Sequence, residues 1–487
     1  MKLINKLNNK KFDTFLIIYG ILIFSVSVSG YLLKLFPHNT VANIMPAIAA
    51  HLDIGNPYLD YWDVYPPGIY LFYYLFYYLG KDNFFAYNLL HIILLILTIT
   101  FAKNIFSVVS KINILFYIAL SYFLSPLFIH YLLPNELIGL FFSFFGLYIY
   151  LSKENKLIFI ALSNFLLLFA AFIKEIFLLP AFCIILYQLI KKEYKKINYS
   201  LVGFVSVIIV LYIYISSFKL LDSLVESYIY KYDLFDIDTI IVENLFLIII
   251  SLCLFLLFLF PPKKIKYKFI SLINREYIIY IYSLLMLISF LLIGRDDGGH
   301  FDIPKIFALF LFLTILLNIS TPKYKIFSLM FIILISGYFL KFQHAAYSYL
   351  LIRPEISTID KSYLNKLDIE IIDEIENNKN GFLYLYGWNS TNIYYELKIK
   401  PYSRYWIINT QIMTKEQILE FKQNIFKKAP GVIYYCGFNP DCPAGFNFIQ
   451  FETEYINFRK IINDCYSEIG DNYYKLVNQS CVNTFEN

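Results

Sequence analysis

Four short polar stretches between long apolar runs carry the side chains that could do acid–base and phosphate chemistry. They are the loop after residue 36, the segment LLPNELIG, the dipeptide at 174–175 and the segment GRDDGGHFDIP. Ionisable groups beside apolar segments of membrane length are energetically expensive, so each is a functional hypothesis. The candidates are His38, Asp60, Asp63, Glu136, Lys174, Arg295 and His300.

The types of these side chains predict proton transfer next to an anion. A carboxylate can take a proton from an acceptor hydroxyl as general base. Lysine or arginine can stabilise a departing phosphate, and arginine offers a planar fork to two of its oxygens. Glu136 follows Pro134, which can begin a helix, so its carboxylate falls in the first turn, where the helix dipole favours negative charge. For any single residue, a cap, a turn or a solvated loop is the structural alternative.

The elements that must position these residues are membrane helices. Of 487 residues, 59% are hydrophobic and only 16% are charged, and the mean hydropathy is positive. This composition excludes an ordinary soluble domain and predicts an all-α polytopic membrane protein. Eleven apolar runs approach the length that a hydrocarbon core of about 30 Å requires: 13–33, 84–102, 112–130, 134–151, 157–173, 176–190, 199–217, 239–260, 277–293, 303–319 and 326–342.

Charge in the short loops predicts the topology. The basic N-terminus precedes an apolar run without a small-residue cleavage site, which is typical of a signal anchor. With the N-terminus inside the plasma membrane, eleven spans place the lysine-rich loops inside as well, as the positive-inside rule requires. The lysine-rich segments are Lys103/Lys111, 152–156, 191–196, 261–268 and 322–325. The candidate residues then lie on the outer face.

The stretch NPYLDYWDVYPPGIYLFYYLFYYLG at 56–80 belongs to the first outer loop. Its apolar part, 66–79, reaches only about 21 Å as a helix, and a span there would move every later lysine-rich loop outside. We therefore predict a helix that lies along the outer surface, where tyrosine rings suit the headgroup level. A tilted short span is the alternative.

The C-terminal part of the chain differs from the rest in composition. It is less hydrophobic and combines a helical pattern at 360–377 with strand-like runs at 381–388 and 431–438. We predict two domains: a membrane domain at 1–343 and a small extracytoplasmic α/β domain at 344–487. Four cysteines fall in the second domain, an even number that suits disulfides on the outer side.

The pairing of those cysteines stays open at the level of sequence. The segment CGFNPDC could close a small loop through Cys436 and Cys442 and leave Cys465 with Cys481, but four cysteines allow three pairings. A zinc site is the alternative, although no CxxC pair or nearby histidine supports it.

The first-loop stretch, with its Pro-Tyr, Asp, Trp and Pro-Pro elements, resembles the signature of membrane glycosyltransferases of the GT-C superfamily, in the dolichyl-phosphate-mannose protein mannosyltransferase-like branch. The resemblance extends through SPLFIHYLLPNELIGLFFSFFGLYIYL, FIKEIFLLP, GGHFDIPKIFALFLFL and GWNSTNIYYELKIKPYSRYW. It implies that the Pro-Pro helix walls an active-site cavity. It also implies inverting, metal-independent transfer of a sugar from a polyprenyl-phosphate carrier to an outer acceptor, which is a glycan, a lipid or a protein.

One departure from the family pattern concerns the general base. The family has an aspartate soon after the first helix, where this chain reads FPHNTVANIMPAIAA, and Asn39 cannot act as a base. Our order of candidates is Glu136, Asp60 and His38, with Asp63 as a further substitute and loss of activity as the other explanation. Lys174, Arg295 and His300 are the predicted phosphate contacts.

Cofactors, the acceptor surface and rival functions complete the predictions. No cofactor is expected, although a divalent metal ion held by Asp60 and Asp63, or by Asp296 and Asp297, is the alternative. The aromatic surface of Trp388, Tyr395, Arg404 and Trp406 could hold an acceptor sugar or form core. The rival functions are a non-catalytic protein that binds lipid-linked glycans or scaffolds the envelope, and a flippase or transporter. Membrane lipid is an expected partner and nucleic acid is not.

Overall fold

A computed structural model of the chain describes two compact units. The described residues are 55–60, 66–80, 84–109, 134–153, 156–225, 276–293, 369–378, 381–385, 394, 397–404, 415–435, 457–470 and 472–485. The first unit holds those of 66–213 and 276–293. The second holds those of 55–60, 214–225 and 369–485. The predicted domain boundary at 343/344 lies outside the described residues.

Most of the described residues of the first unit are helical. The helices are α1 (Pro67–Gly80), α2 (Phe84–Val109), α3 (Pro134–Lys153), α4 (Leu157–Ile173), α5 (Leu178–Ala181), α6 (Cys183–Ile190), α7 (Tyr194–Ser217, whose last residues belong to the second unit) and α8 (Glu276–Ile293). A 3₁₀ turn at Glu175–Phe177 joins α4 to α5.

Two of the described helices meet the length and composition of a membrane span, Asn135–Lys153 and Tyr194–Ser217. Shorter apolar helices include Leu157–Ile173 and Tyr277–Ser289. The predicted run at 176–190 starts as the 3₁₀ turn and continues through α5 and α6, and Glu175–Ile190 as a whole is one of the shorter apolar helices. The predicted runs 13–33, 112–130, 239–260, 303–319 and 326–342 lie outside the described residues, so the number of spans stays a prediction.

Close backbone approach determines how the first-unit helices pack. α3 packs along α4 and α2, and α8 packs against α5 and α6. A Cβ at Gly146 would lie 2.8 Å from the carbonyl oxygen of Ser163, so glycine allows α3 and α4 to touch. On the other side of α3, Phe101 stacks on Phe145 with ring centroids 4.9 Å apart. Small residues on one face and aromatic rings on the other thus hold α3 at the centre of the described helices.

Three buried polar side chains connect α4, α6 and α7. Asn164 donates through Nδ2 to Ser200 Oγ at 2.9 Å, and Ser200 Oγ donates to Gln188 Oε1 at 2.8 Å. Polar bonds of this kind stabilise helix packing where the surroundings are apolar, because the alternative is an unpaired polar group. The network holds the start of α7 beside the end of α6.

The second unit contains a small mixed sheet with helices. Its elements are α9 (Ile369–Asn377), β1 (Phe382–Tyr384), α10 (Lys415–Lys427), β2 (Val432–Tyr434), α11 (Phe458–Cys465), β3 (Tyr466–Gly470), β4 (Tyr473–Leu476) and α12 (Gln479–Asn483). The strand order is β1-β2-β4-β3, and only the β1/β2 pair is parallel. Parallel neighbours need a crossover connection, which contains α10.

The predicted helix and both predicted strands of this unit are present over shorter ranges. β1 lies in the run 381–388, β2 lies in the run 431–438, and α9 covers the end of 360–377. The hairpin of β3 and β4 was not predicted. Cys465 and Cys481 form a disulfide with Cα atoms 5.6 Å apart, which is one of the pairings that the sequence left open. Cys436 and Cys442 lie outside the described residues.

Candidate functional site

Glu136 and Lys174 form an ion pair inside the first unit. The Lys174 ammonium lies 3.0 Å from Glu136 Oε1, and the two side chains are 4% and 1% exposed. Glu136 sits in the first turn of α3, as the Pro134 signal predicted. A buried pair of opposite charges is stabilised by contact, but either charge alone would be costly without water.

The backbone at the end of α4 presents Lys174 to this position. α4 ends at Ile173, and Lys174 adopts an extended conformation with φ −149° and ψ 128°. Its N–H still donates to Ala170 O at 3.0 Å, and its carbonyl accepts from Phe177 N at 3.1 Å. Lys174 is therefore the joint between α4 and the 3₁₀ turn, and its side chain leaves the helix axis at that joint.

Two glycines bring neighbouring elements against this joint. A Cβ at Gly68, at the start of α1, would lie 2.5 Å from the carbonyl oxygen of Phe172. A Cβ at Gly139, one turn after Glu136, would collide with the ring of Phe177. Both close approaches are possible only because glycine has no side chain. The Pro-Pro-Gly start of α1 and the first turn of α3 thus meet the end of α4, and the ion pair lies at this junction.

Two more buried polar side chains lie beside the pair in the chain. Asn135 is 1% exposed, and its Oδ1 accepts no hydrogen bond from any residue that the structure describes. Glu175 is also buried and begins the 3₁₀ turn. The positions next to Glu136 and Lys174 in the chain thus add a buried amide and a second buried carboxylate to the junction. Such a set can exchange a proton and bind an anion.

Of the predicted site residues, Glu136 and Lys174 are brought together. They were predicted in separate roles, as general base and as phosphate contact, and these roles stay predictions. His38, Asp63, Arg295 and His300 lie outside the described residues.

Asp60 belongs to the second unit, where its carboxylate shapes a turn. Oδ2 accepts from Asn56 N at 2.7 Å, and Oδ1 lies 3.0 Å from the Lys400 ammonium. Tyr58, which lies between Asn56 and Asp60 in the chain, has a φ of 68°. A Cβ at Gly55 would collide with the Asp60 side chain. Asp60 thus closes a tight loop and pairs with Lys400, which lies in the C-terminal part of the chain.

The structure describes only part of the predicted metal and sugar sites. Among the described residues, no group of three His, Cys, Asp or Glu side chains is arranged to hold a metal ion. Of the predicted acceptor surface, Arg404 is described, and its Nη2 donates to Glu420 Oε2 at 2.8 Å. Trp388, Tyr395 and Trp406 lie outside the described residues.

Three residues of the junction were not singled out from the sequence. Asn135 adjoins Glu136, and its burial depends on tertiary packing that no local pattern reveals. Gly68 and Gly139 each interrupt an apolar helical run, where glycine costs stability and often has a packing reason, but the elements that approach them are known only from the structure.

Comparison with family models, with curated proteins and with solved structures finds no match for this chain.

Proposed function

We propose that the protein is an integral-membrane glycosyltransferase that moves a sugar from a polyprenyl-phosphate carrier to an acceptor hydroxyl on the extracytoplasmic side. The observation that supports this best is the buried Glu136–Lys174 pair. A base for the incoming hydroxyl and a cation for the outgoing phosphate are the two groups that such a transfer needs, and here they are adjacent.

In the proposed reaction the acceptor oxygen attacks the anomeric carbon as its proton passes to the Glu136 carboxylate. The bond from that carbon to the phosphate oxygen breaks, and the lipid phosphate leaves with the electron pair. Lys174 stabilises the charge that develops on the leaving phosphate. This electrostatic stabilisation is strongest where water is excluded. Asn135 Oδ1 offers an acceptor for a sugar hydroxyl, since the described residues supply no donor to it.

The arrangement of charge along α3 and α4 supports the proposed side of the membrane. The ion pair lies at the start of α3 and the end of α4, whereas Lys153 ends α3 and Lys156 precedes α4. Lysines favour the cytoplasmic end of a span. The opposite end, which holds Glu136 and Lys174, is then extracytoplasmic, where lipid-linked donors of this class are used.

Sugar transfer by the full-length protein in nanodiscs tests the proposal. The protein is offered a panel of polyprenyl-phosphate hexoses and pentoses, and Glu136→Gln and Lys174→Met are compared with the unchanged chain. We expect transfer or release of sugar from at least one donor and a loss of at least about a hundredfold in each variant. A general base contributes about 10² to 10⁴, and a group that stabilises developing charge contributes about 10² to 10³.

A second Lys–Glu pair in the same unit provides the matched control. Lys196 and Glu193 lie 2.9 Å apart but are 23% and 35% exposed. Glu193→Gln and Lys196→Met remove the same chemical groups, and we expect them to keep the activity. Absence of turnover from every donor, in a folded protein tested beside an active transferase, would favour the lipid-linked-glycan binding alternative.

A further inference from the structure

The end of the first unit opposite the ion pair carries exposed lysines. Four of them, Lys153, Lys156, Lys192 and Lys195, form the basic cluster. None of these four pairs with an acidic side chain among the residues that the structure describes, whereas the neighbouring Lys196 pairs with Glu193. The cluster therefore presents net positive charge that the described protein does not neutralise.

Contacts between the helices place the basic cluster at one end. Tyr150 near the end of α3 meets Tyr187 near the end of α6, with ring centroids 6.2 Å apart. The bonds from Ser200 to Asn164 and Gln188 hold the start of α7 at this same end. The ends of α3 and α6 and the starts of α4 and α7 thus lie together, and each contributes a lysine or adjoins one.

Exposed apolar surface begins directly beside the basic cluster. On α4, Ile158 and Leu162 are exposed one turn apart, and α6 ends with exposed Leu189 and Ile190. α7 exposes large apolar side chains along most of its length: Leu201, Val202, Val205, Ile208, Ile209, Tyr212 and Ile213. Side chains of this size and number are stable against hydrocarbon and not against water.

The surface thus combines apolar helix faces with cations at one end of them, which matches an amphiphile that carries negative charge at its head. We infer that the basic cluster is a binding site for membrane phospholipid with an anionic headgroup. The acyl chains lie on the apolar faces of α4, α6 and α7. The phosphate of the headgroup meets the four lysines. Neither the contact of the acyl chains nor that of the headgroup depends on the proposed transfer activity.

Charge complementarity selects the anionic lipid over a zwitterionic one. A zwitterionic headgroup carries its own cation, which the four lysines repel, whereas an anionic headgroup neutralises them. The lysine stems can extend along apolar surface while their ammonium groups reach the headgroup level. A free anion would use the charges alone and leave the adjacent apolar faces unused.

Lipid retention by the purified full-length protein tests the inference. The protein in mild detergent is incubated with equal amounts of phosphatidylglycerol and phosphatidylcholine, and bound lipid is counted by native mass spectrometry. The variant replaces Lys153, Lys156, Lys192 and Lys195 with glutamine. We expect the unchanged chain to retain more phosphatidylglycerol than phosphatidylcholine. In the variant the ratio of the two bound lipids should fall at least about tenfold, since each lysine near an anionic surface contributes to the attraction.

A control variant removes the same charge elsewhere. Lys422, Lys427, Lys428 and Lys460 of the second unit are replaced with glutamine, and we expect the preference to persist. An equal loss in both variants, or no preference in the unchanged chain, would overturn the inference. Displacement of phosphatidylglycerol by millimolar inorganic phosphate would also overturn it, because the site would then serve a free anion. Unchanged helicity of both variants excludes misfolding as the cause.

Discussion

Oδ1 of Asp60 lies 3.0 Å from the ammonium of Lys400, although the two residues are 340 positions apart in the chain. The same carboxylate accepts the Asn56 N–H through its other oxygen. Asp60 thereby fixes both the local turn and its attachment to the C-terminal residues of the second unit. A carboxylate with both oxygens engaged is better suited to hold a loop than to accept a proton from a substrate.

Replacement of Asp60 tests whether it anchors a loop. We expect Asp60→Ala to lower the free energy of unfolding of the second unit by about 1 to 2 kcal/mol, since it removes a charged acceptor and a partly exposed ion pair. Lys400→Met should lower it by less than about 1 kcal/mol. Hydrogen exchange of the full chain should increase at 55–60 and at 397–404.

Activity of the Asp60 variants separates an anchor from a base. If transfer is found, Asp60→Asn should keep most of it, because asparagine can still accept the Asn56 N–H. Lys427→Met, an exposed lysine of the same unit, serves as the control for stability. A loss of transfer by a thousandfold in Asp60→Asn, with normal exchange at 55–60, would assign Asp60 the catalytic role instead.

The buried ion pair should show strong coupling in stability. Glu136→Gln and Lys174→Met each leave one charge in a place without water, so each should lower the free energy of unfolding by about 3 to 5 kcal/mol. The double variant removes both charges and should be more stable than the sum of the two losses implies. Thermal unfolding in detergent gives the stability of the unchanged chain, the two single variants and the double variant.

The exposed pair Glu193 and Lys196 provides the comparison for that cycle. Its coupling should be below about 1 kcal/mol, because water screens both charges. Additive losses at Glu136 and Lys174 would mean that the two side chains do not interact in the folded protein, and would remove the main support for the proposed site.

The helices and strands that depend on nearby residues were predictable from the residue pattern and from the positions of proline. Pro134 predicted the start of α3, and Glu136 falls in its first turn. The short helix predicted at 66–79 forms over Pro67–Gly80. The runs 381–388 and 431–438, which are rich in aromatic and aliphatic residues, predicted β1 and β2. In each case the signal lies within a few residues of the element that it specifies.

The parts that were missed depend on tertiary contacts. Strand β3 begins directly after α11, and its partner β4 forms a hairpin whose turn includes Asn472 with a φ of 65°. Nothing in the alternation of YSEIG alone predicts that pairing. At the site, Glu136 and Lys174 were singled out for charge beside apolar runs, but their contact needs Gly139 and Gly68 to allow close approach, which only the packed structure reveals.

Gly68 should be intolerant of a side chain. Gly68→Ala would place a methyl group against the carbonyl oxygen of Phe172, and backbone cannot move as a side-chain end can. We expect a loss of about 1 to 3 kcal/mol in the free energy of unfolding. If transfer is found, its rate should fall as well, because α1 would shift from the end of α4 next to Lys174. Leu75→Ala, at an exposed position of the same helix, should change neither quantity.

The disulfide should stabilise the second unit. Cys465 and Cys481 are separated by 16 positions, and a loop of this size contributes about 3 kcal/mol in the chain-entropy account. The variant with alanine at both positions should unfold at lower denaturant concentration. Peptide mapping without reductant should recover 465 linked to 481; recovery of either cysteine linked to another would contradict the pairing.

One half-buried and one buried tyrosine should make the second unit sensitive to alkaline pH. The single Tyr402 hydroxyl proton is shared between the carbonyl oxygens of Asn424, at 2.7 Å, and of Lys428. Tyr466 donates to Pro430 O at 2.9 Å. Partial burial raises the pKa of Tyr402 above its ordinary value of 10.0. Burial, and then the neighbouring Tyr402, raise the pKa of Tyr466.

The direction of the pH effect follows from proton binding. Above about pH 10 the unfolded chain releases the two phenolic protons that the folded chain keeps, so stability is full below that pH and falls as pH rises through it. We expect the double variant Tyr402→Phe and Tyr466→Phe to be less stable near pH 8, because the hydroxyl bonds are lost. Its unfolding temperature should decline less between about pH 8 and about pH 11. Tyr194→Phe, at an exposed position, should follow the unchanged chain, and parallel declines in all three proteins would show that lysine deprotonation governs the alkaline limit instead.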